Sequence, residues 1–202
     1  MSVPQGIPAI ILAAGASRRL GEPKQLVRVG GETLLDRTIR VVRESGVEDV
    51  FVVLGAHHKR IVSGAKLNTV HSIVNRDWEQ GIGTSIQAGV HAVQEACIDA
   101  RAAMLLVCDQ PRLSSQHLRA LIDAHASARE PTITASSYAG VAGIPAIFPA
   151  GQFAELLTLR VDSGAKLLLR NPKCALVEVP FAGGELDVDT PADLAAMDGS
   201  SE

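Results

Sequence analysis

The sequence predicts an α/β sandwich built on a mostly parallel sheet. Short, continuous apolar runs recur at residues 7–14, 50–54, 70–74 and 102–108, the pattern of strands buried on both faces. Segments with apolar residues at helical spacing separate those runs, so strands alternate with helices along the chain. The 202 residues are 47% hydrophobic and 20% charged, enough to bury the core of one ordinary domain.

Residues 7–14 form the first strand, and Gly15 ends it. Residues 15–24 carry no apolar period and hold Arg18, Arg19 and Lys24, so they read as an exposed functional loop. Residues 33–44 place Leu34, Leu35, Ile39, Val41 and Val42 between charges, a helix that stops at Gly46. Strands follow at 50–54 and 70–74, then a helix over 84–96 marked by Ile86, Val90 and Val93. The run 102–108 is a fourth buried strand, terminated by Asp109, and Ser114 opens a helix through about Ser127. The last third is less regular. Strands are expected at 132–136, 144–148 and 176–179, a turn at 140–143, short helices at 152–159 and 165–169, and a final helix at 191–197 with Pro191 in its first turn. No repeat or linker divides residues 1–198, which read as a single domain, and 199–202 read as a frayed tail.

Composition excludes several function classes. A net charge of −3, from 19 Lys and Arg against 22 Asp and Glu, offers no basic field for nucleic acid or an anionic membrane. Aromatic residues make up 3%, too few for a platform that stacks single-stranded bases. Cys97, Cys108 and Cys174 are isolated and form neither a zinc-ligand pattern nor a disulfide framework. The first apolar run is too short to span a bilayer and lacks a basic leader, so a cytoplasmic protein is expected.

Residues 12–26 read LAAGASRRLGEPKQL. A buried strand runs directly into a loop of small residues with three cations. In an open α/β sheet such a loop lies at the carboxyl ends of the strands, where ligands bind. Its N–H groups and cations suit an anion, and a solvated surface loop is the competing reading. A Walker loop requires Lys directly after its second Gly, but Glu22 and Pro23 intervene. The missing Gly-x-Gly-x-x-Gly fingerprint speaks against a nicotinamide oxidoreductase.

This segment resembles the signature LAAGxSxRxGxxKxL of the MobA-like nucleotidyltransferases, and within them the molybdenum cofactor cytidylyltransferase branch. The resemblance implies a three-layer, Rossmann-like sandwich of the nucleotide-diphospho-sugar transferase type, Mg²⁺ dependence and release of pyrophosphate. It implies that the backbone of Leu12, Ala13, Ala14 and Gly15 contacts the base, and that Arg19 and Lys24 contact the triphosphate. Arg18 falls at a variable position and faces solvent. Ala14 stands where guanylyl members carry a second Gly, which implies CTP rather than GTP.

Four later segments continue the resemblance in motif order. WEQGIGTSIQAG places Gly83 and Ser85 at the nucleotide, with Trp78 read as a packed core or rim aromatic. LLVCDQP places Asp109 at a metal ion, and Cys108 beside it reads as a buried thiol. LDVDTPADL supplies Asp189 as the second metal ligand. Asp187 and Asp189 are expected to face opposite sides, which turns Asp187 away, and Asp193 reads as a partner of its helix N-terminus. GVAGIPAIFP and DSGAKLLL imply an acceptor side at Gly143, Pro145 and Lys166, with Ile144 where the family often has His. The implied catalytic set is Lys24, Arg19 and Asp109, acting on CTP and the phosphate of a molybdopterin-type acceptor, with a molybdoenzyme as possible recipient. Alternatives are a sugar-phosphate nucleotidyltransferase of the same fold, or a non-catalytic cofactor carrier or nucleotide sensor.

Overall fold

The structure is a computed structural model that describes residues 6–162, 164–170, 172–190 and 192–194. Strand β1 (Ala9–Ala13) is buried at every residue. A two-strand ribbon, β2 (Arg28–Val29) and β3 (Glu32–Thr33), leads into α1 (Leu34–Glu44). Thr33 caps that helix: its hydroxyl accepts from the Asp36 N–H at 3.1 Å. Then come β4 (Val50–Leu54), α2 (His58–Gly64), β5 (His71–Val74), α3 (Ile82–Ala96) and β6 (Ala102–Val107). The last third holds α4 (Ser115–Ser127), β7 (Thr132–Tyr138), β8 (Val141–Pro149), α5 (Phe153–Leu157), α6 (Lys166–Arg170) and β9 (Ala175–Pro180).

Among the described residues the main sheet has seven strands in the order β5-β4-β1-β6-β8-β7-β9. Pairings are parallel except those of β8, which runs antiparallel to both β6 and β7. Period-two alternation splits β1 between two cores. Ile11 faces α1 and α4 through Leu35, Ile39, Leu118 and Leu121, whereas Ile10 and Leu12 face α3 and α5 through Ile86, Val90 and Leu156. Helices on both faces of the sheet give the expected three layers.

The structure differs from the sequence reading in a few places. Helix α2 has only Ile61 among its buried residues, so no apolar period announces it. Strands β7 and β8 run longer than expected, and the turn lies at Ala139 and Gly140, both at positive φ, rather than over 140–143. That conformation suits a tight hairpin. Of the expected final helix, only 192–194 lie among the described residues, and these are helical. Residues 1–5, Pro191 and 195–202 lie outside them.

His117 on α4 links the helix layer to the sheet. Its Nε2 lies 2.8 Å from the Ser136 hydroxyl, which itself donates to the Pro145 carbonyl at 2.7 Å. Nε2 therefore carries a proton and donates to Ser136. The ring stacks on Phe181 with centroids 4.3 Å apart, and burial pushes its pKa down to about 4. The unfolded chain then binds a proton that the folded chain refuses once the pH falls below about 6.5. Stability is complete above that pH and is lost as the pH falls toward 4, by roughly 3 kcal/mol. Urea unfolding between pH 7 and pH 4 should show this slope, and His117→Gln should flatten it.

Candidate active site

Strands β1, β4 and β6 are parallel neighbours, with Ala13 beside Leu54 and Leu12 beside Val107. Their carboxyl ends therefore emerge at one edge. There they deliver the loop after Ala13, Gly55 and the Cys108–Asp109 pair. A cleft of about 200 Å³ opens at that edge, and its lining includes Leu12, Ala14, Gly15, Lys24, Ser85 and Asp109. Residues expected from three separate motifs thus meet in one place. Trp78, Ile82 and Val107 complete the wall.

Lys24 is the electrostatic centre of this cleft. Its side chain is only 18% exposed, and Asp109 opposite is 14% exposed, so the expectation of an exposed loop cation is corrected. The Nζ donates to Asp109 Oδ2 and, at 3.1 Å, to Asp189 Oδ1. Burial alone would lower the Lys24 pKa, but the Asp109 carboxylate, assisted by Asp189, outweighs it and holds the ammonium charged. Arg19 lies at the rim, 71% exposed, and its Nη2 meets Asp189 Oδ2 at 2.6 Å. Burial and then Asp109 push the Cys108 thiol up to about 12, which makes it no nucleophile.

The other oxygen of Asp109, Oδ1, is buried and without a hydrogen-bond partner among the described residues. An unpaired buried carboxylate oxygen is costly in a protein interior. It is the hard oxygen donor that Mg²⁺ or Mn²⁺ prefers, and such ions need only one or two carboxylates beside substrate phosphates. Asp109 with Asp189 fits that requirement. Among the described residues no three His, Cys, Asp or Glu side chains are already gathered around an ion.

Asp187 is not turned away from this cluster. Partial burial, then the charges of Asp109 and Asp189, push its carboxyl up to about 6 against the opposing pull of Lys24 and Lys166. The expectation of opposite faces misapplied the extended-chain period, in which residues two apart share a face. Val188 between them takes the other side. It is buried with Leu20, Val27 and Leu34, and its N–H bonds the Asp109 carbonyl at 2.9 Å. Asp193 accepts from the N–H groups of Asp189 and Thr190, so it holds the turn rather than the ligand.

The loop is kept in shape by residues that the sequence reading passed over. Gln25 is fully buried. Its Nε2 donates to the carbonyls of Ala13 and Gly15 at 2.8 and 3.1 Å, bracketing Ala14. The Lys24 N–H bonds the Ser17 hydroxyl at 3.0 Å, and Ser17 itself adopts φ 52°. A buried amide beside a loop lysine is a signal in retrospect, but only the fold shows that Gln25 points inward. Asn75, also buried, holds the Thr84 and Ser85 hydroxyls at 2.8 and 3.0 Å.

Other expected site residues serve packing. Ala13 faces the α1 core, and only its carbonyl reaches the loop. Gly83 is not in the cleft: its N–H is taken by the Val161 carbonyl at 3.0 Å, and a Cβ there would sit 2.3 Å from the Arg160 carbonyl oxygen. Gly143 backs onto the Tyr138 hydroxyl, and Pro145 is buried with its carbonyl bonded to Ser136. Neither lines the cleft described above. Lys166 is exposed on α6 and lies near enough to influence Asp187. Arg18 is exposed, as expected.

Removing Lys24 should therefore strand a largely buried carboxylate. Lys24→Ala should lower unfolding free energy by about 1–3 kcal/mol at neutral pH. Adding Asp109→Asn should recover part of that loss, because the orphaned charge disappears. Urea titrations of the two single variants and the double variant measure the coupling.

Comparison with known proteins places this geometry. The chain is 31% identical over 196 residues to "Nicotine blue oxidoreductase" of Paenarthrobacter nicotinovorans, covering 91% of this chain and 92% of that one. It is 34% identical over 107 residues to "Probable molybdenum cofactor guanylyltransferase" of Opitutus terrae, covering 52% of this chain and 48% of that one. The crystal structure of Rv0371C from Mycobacterium tuberculosis, described as a complex with manganese, superposes with TM-score 0.78 at 26% identity, covering 96% of this chain and 98% of that one. The MobA-like NTP transferase domain matches residues 9–178, and the protein whose cleft is closed by Lys24 and Asp109 belongs to that family of nucleotidyltransferases.

Proposed function

We propose that the protein is a divalent-metal-dependent cytidylyltransferase, which transfers CMP from CTP to the phosphate of a molybdopterin-type acceptor and releases pyrophosphate. The observation that carries this reading is the cleft itself. It joins an apolar slot, formed by Leu12, Ala14, Ile82 and Val107, to the buried Lys24–Asp109 pair. The slot suits a base and the charged end suits phosphates. Asp109 and Asp189 would hold the ion, which when bound would neutralise charge on the phosphates.

The reaction needs no general base, because a phosphate monoester is already anionic at neutral pH. An acceptor oxygen attacks the α-phosphate in line and the α–β bridging bond breaks, so the electron pair leaves with pyrophosphate. Lys24, at the floor of the cleft, turns its ammonium from the carboxylates to the oxygens where that charge grows. Arg19 at the rim does the same from outside. The Gln25 clamp holds Ala14 and Gly15 still while the base binds, so less ordering is left for the substrate to impose.

A second reading is carried by the acceptor side. Gly143 and Pro145 are buried, which leaves the acceptor open to a sugar phosphate or another phosphate monoester. An oxidoreductase reading, prompted by the name of one relative, meets Ala16 and Ser17 where a dinucleotide turn needs Gly.

Pyrophosphate release from each nucleoside triphosphate, with and without molybdopterin-type acceptor and with Mg²⁺ or a chelator, tests the proposal. CTP with acceptor and Mg²⁺ should release it, and a chelator should stop it. Release without acceptor, or none under any condition, would overturn the reading. Ala14→Gly should relax the preference for CTP over GTP by about 1–3 kcal/mol in nucleotide titrations. Asp109→Asn and Asp189→Asn should each abolish most turnover, and the double variant should lose little more, as groups acting together do.

A further inference from the structure

Trp78 is the sole tryptophan of the chain, and the structure spends much on its placement. It stands on a short turn before α3, partly buried. Asn75 fixes that turn from within: its Oδ1 accepts from the Asp77 N–H at 2.9 Å, and the Thr84 hydroxyl reaches the Asp77 carbonyl at 3.1 Å. Gly55, at the end of β4, is the seat. A Cβ there would lie 2.6 Å from the Trp78 Cβ and 2.8 Å from the Ala14 carbonyl oxygen, so the indole stem, Gly55 and Ala14 pack as a unit.

Trp78 also lines three spaces. Besides the cleft of about 200 Å³, it lines one of about 420 Å³ that includes Arg18 and His57, and one of about 410 Å³ that includes Asn75 and Arg76. A single planar side chain thus borders all three, the small apolar slot included. An aromatic face beside an apolar slot is a stacking surface for a nucleobase.

We propose that Trp78, seated on Gly55, stacks on the nucleobase and sets the pyrimidine preference by closing the slot beside Ala14. This rests on the cleft taking a nucleoside triphosphate, as proposed above. The size limit comes from a wall that can be removed without touching Lys24, Asp109 or Asp189.

Calorimetric titration of the full chain with CTP and with GTP, in Mg²⁺, is run beside the intrinsic fluorescence of Trp78. CTP should quench the emission, saturating at the same concentration as the heat. Trp78→Ala should weaken CTP about ten-fold and lower the CTP-to-GTP affinity ratio. Trp78→Phe should restore most of both, and thermal melts of the two variants should match. Heat without a fluorescence change, or an unaltered ratio in Trp78→Ala, would overturn the role of Trp78 and leave the nucleotide reading standing. No binding of either nucleotide to the wild-type chain would overturn both.

Discussion

Strand β1 has no free side. It is buried at all five residues and paired on both edges, with β4 and with β6. A strand in that position tolerates no charge, so whatever chemistry it supports must begin where the strand ends. Because the three strands are parallel, their ends coincide. The loop after Ala13, Gly55 and Asp109 come from distant parts of the sequence, yet emerge together. The apolar core and the polar site are consequences of the same pairing.

What the strands deliver is an unsettled charge arrangement. The Lys24 ammonium lies between Asp109 and Asp189, with Arg19 outside and Asp187 close enough to feel all three charges of Lys24, Asp109 and Asp189. Lys24 and Arg19 each have a carboxylate partner, but Asp109 Oδ1 has none among the described residues. Natural proteins break local rules of polar satisfaction chiefly where a ligand will complete them. In the proposed reaction the same cations would exchange these carboxylates for phosphate oxygens.

Glycine and small residues are the least decisive part of the motifs. Ala14 and Gly15 line the cleft, whereas Gly83 and Gly143 make room for a neighbouring backbone and ring. In the sequence all four look alike, because a small or missing side chain is compatible with ligand approach and with close packing. Charged residues carry a clearer local signal. Lys24, Asp109 and Asp189 each sit at the end of an apolar run or in a polar segment, where a buried charge requires a partner.

The sequence by itself determined the alternating strands and helices, the order of the motifs and the residue types available to meet phosphate. These follow from local periodicity and from chemistry carried by single side chains. Only the tertiary structure decided that β8 runs against its neighbours, that Gln25 and Asn75 point inward to hold the loop and turn, and that Asp187 faces the same side as Asp189. It alone set Trp78 on Gly55 as the wall of the cleft. Each of these depends on contacts between residues far apart in the chain, and no local pattern records which distant neighbour a side chain will meet.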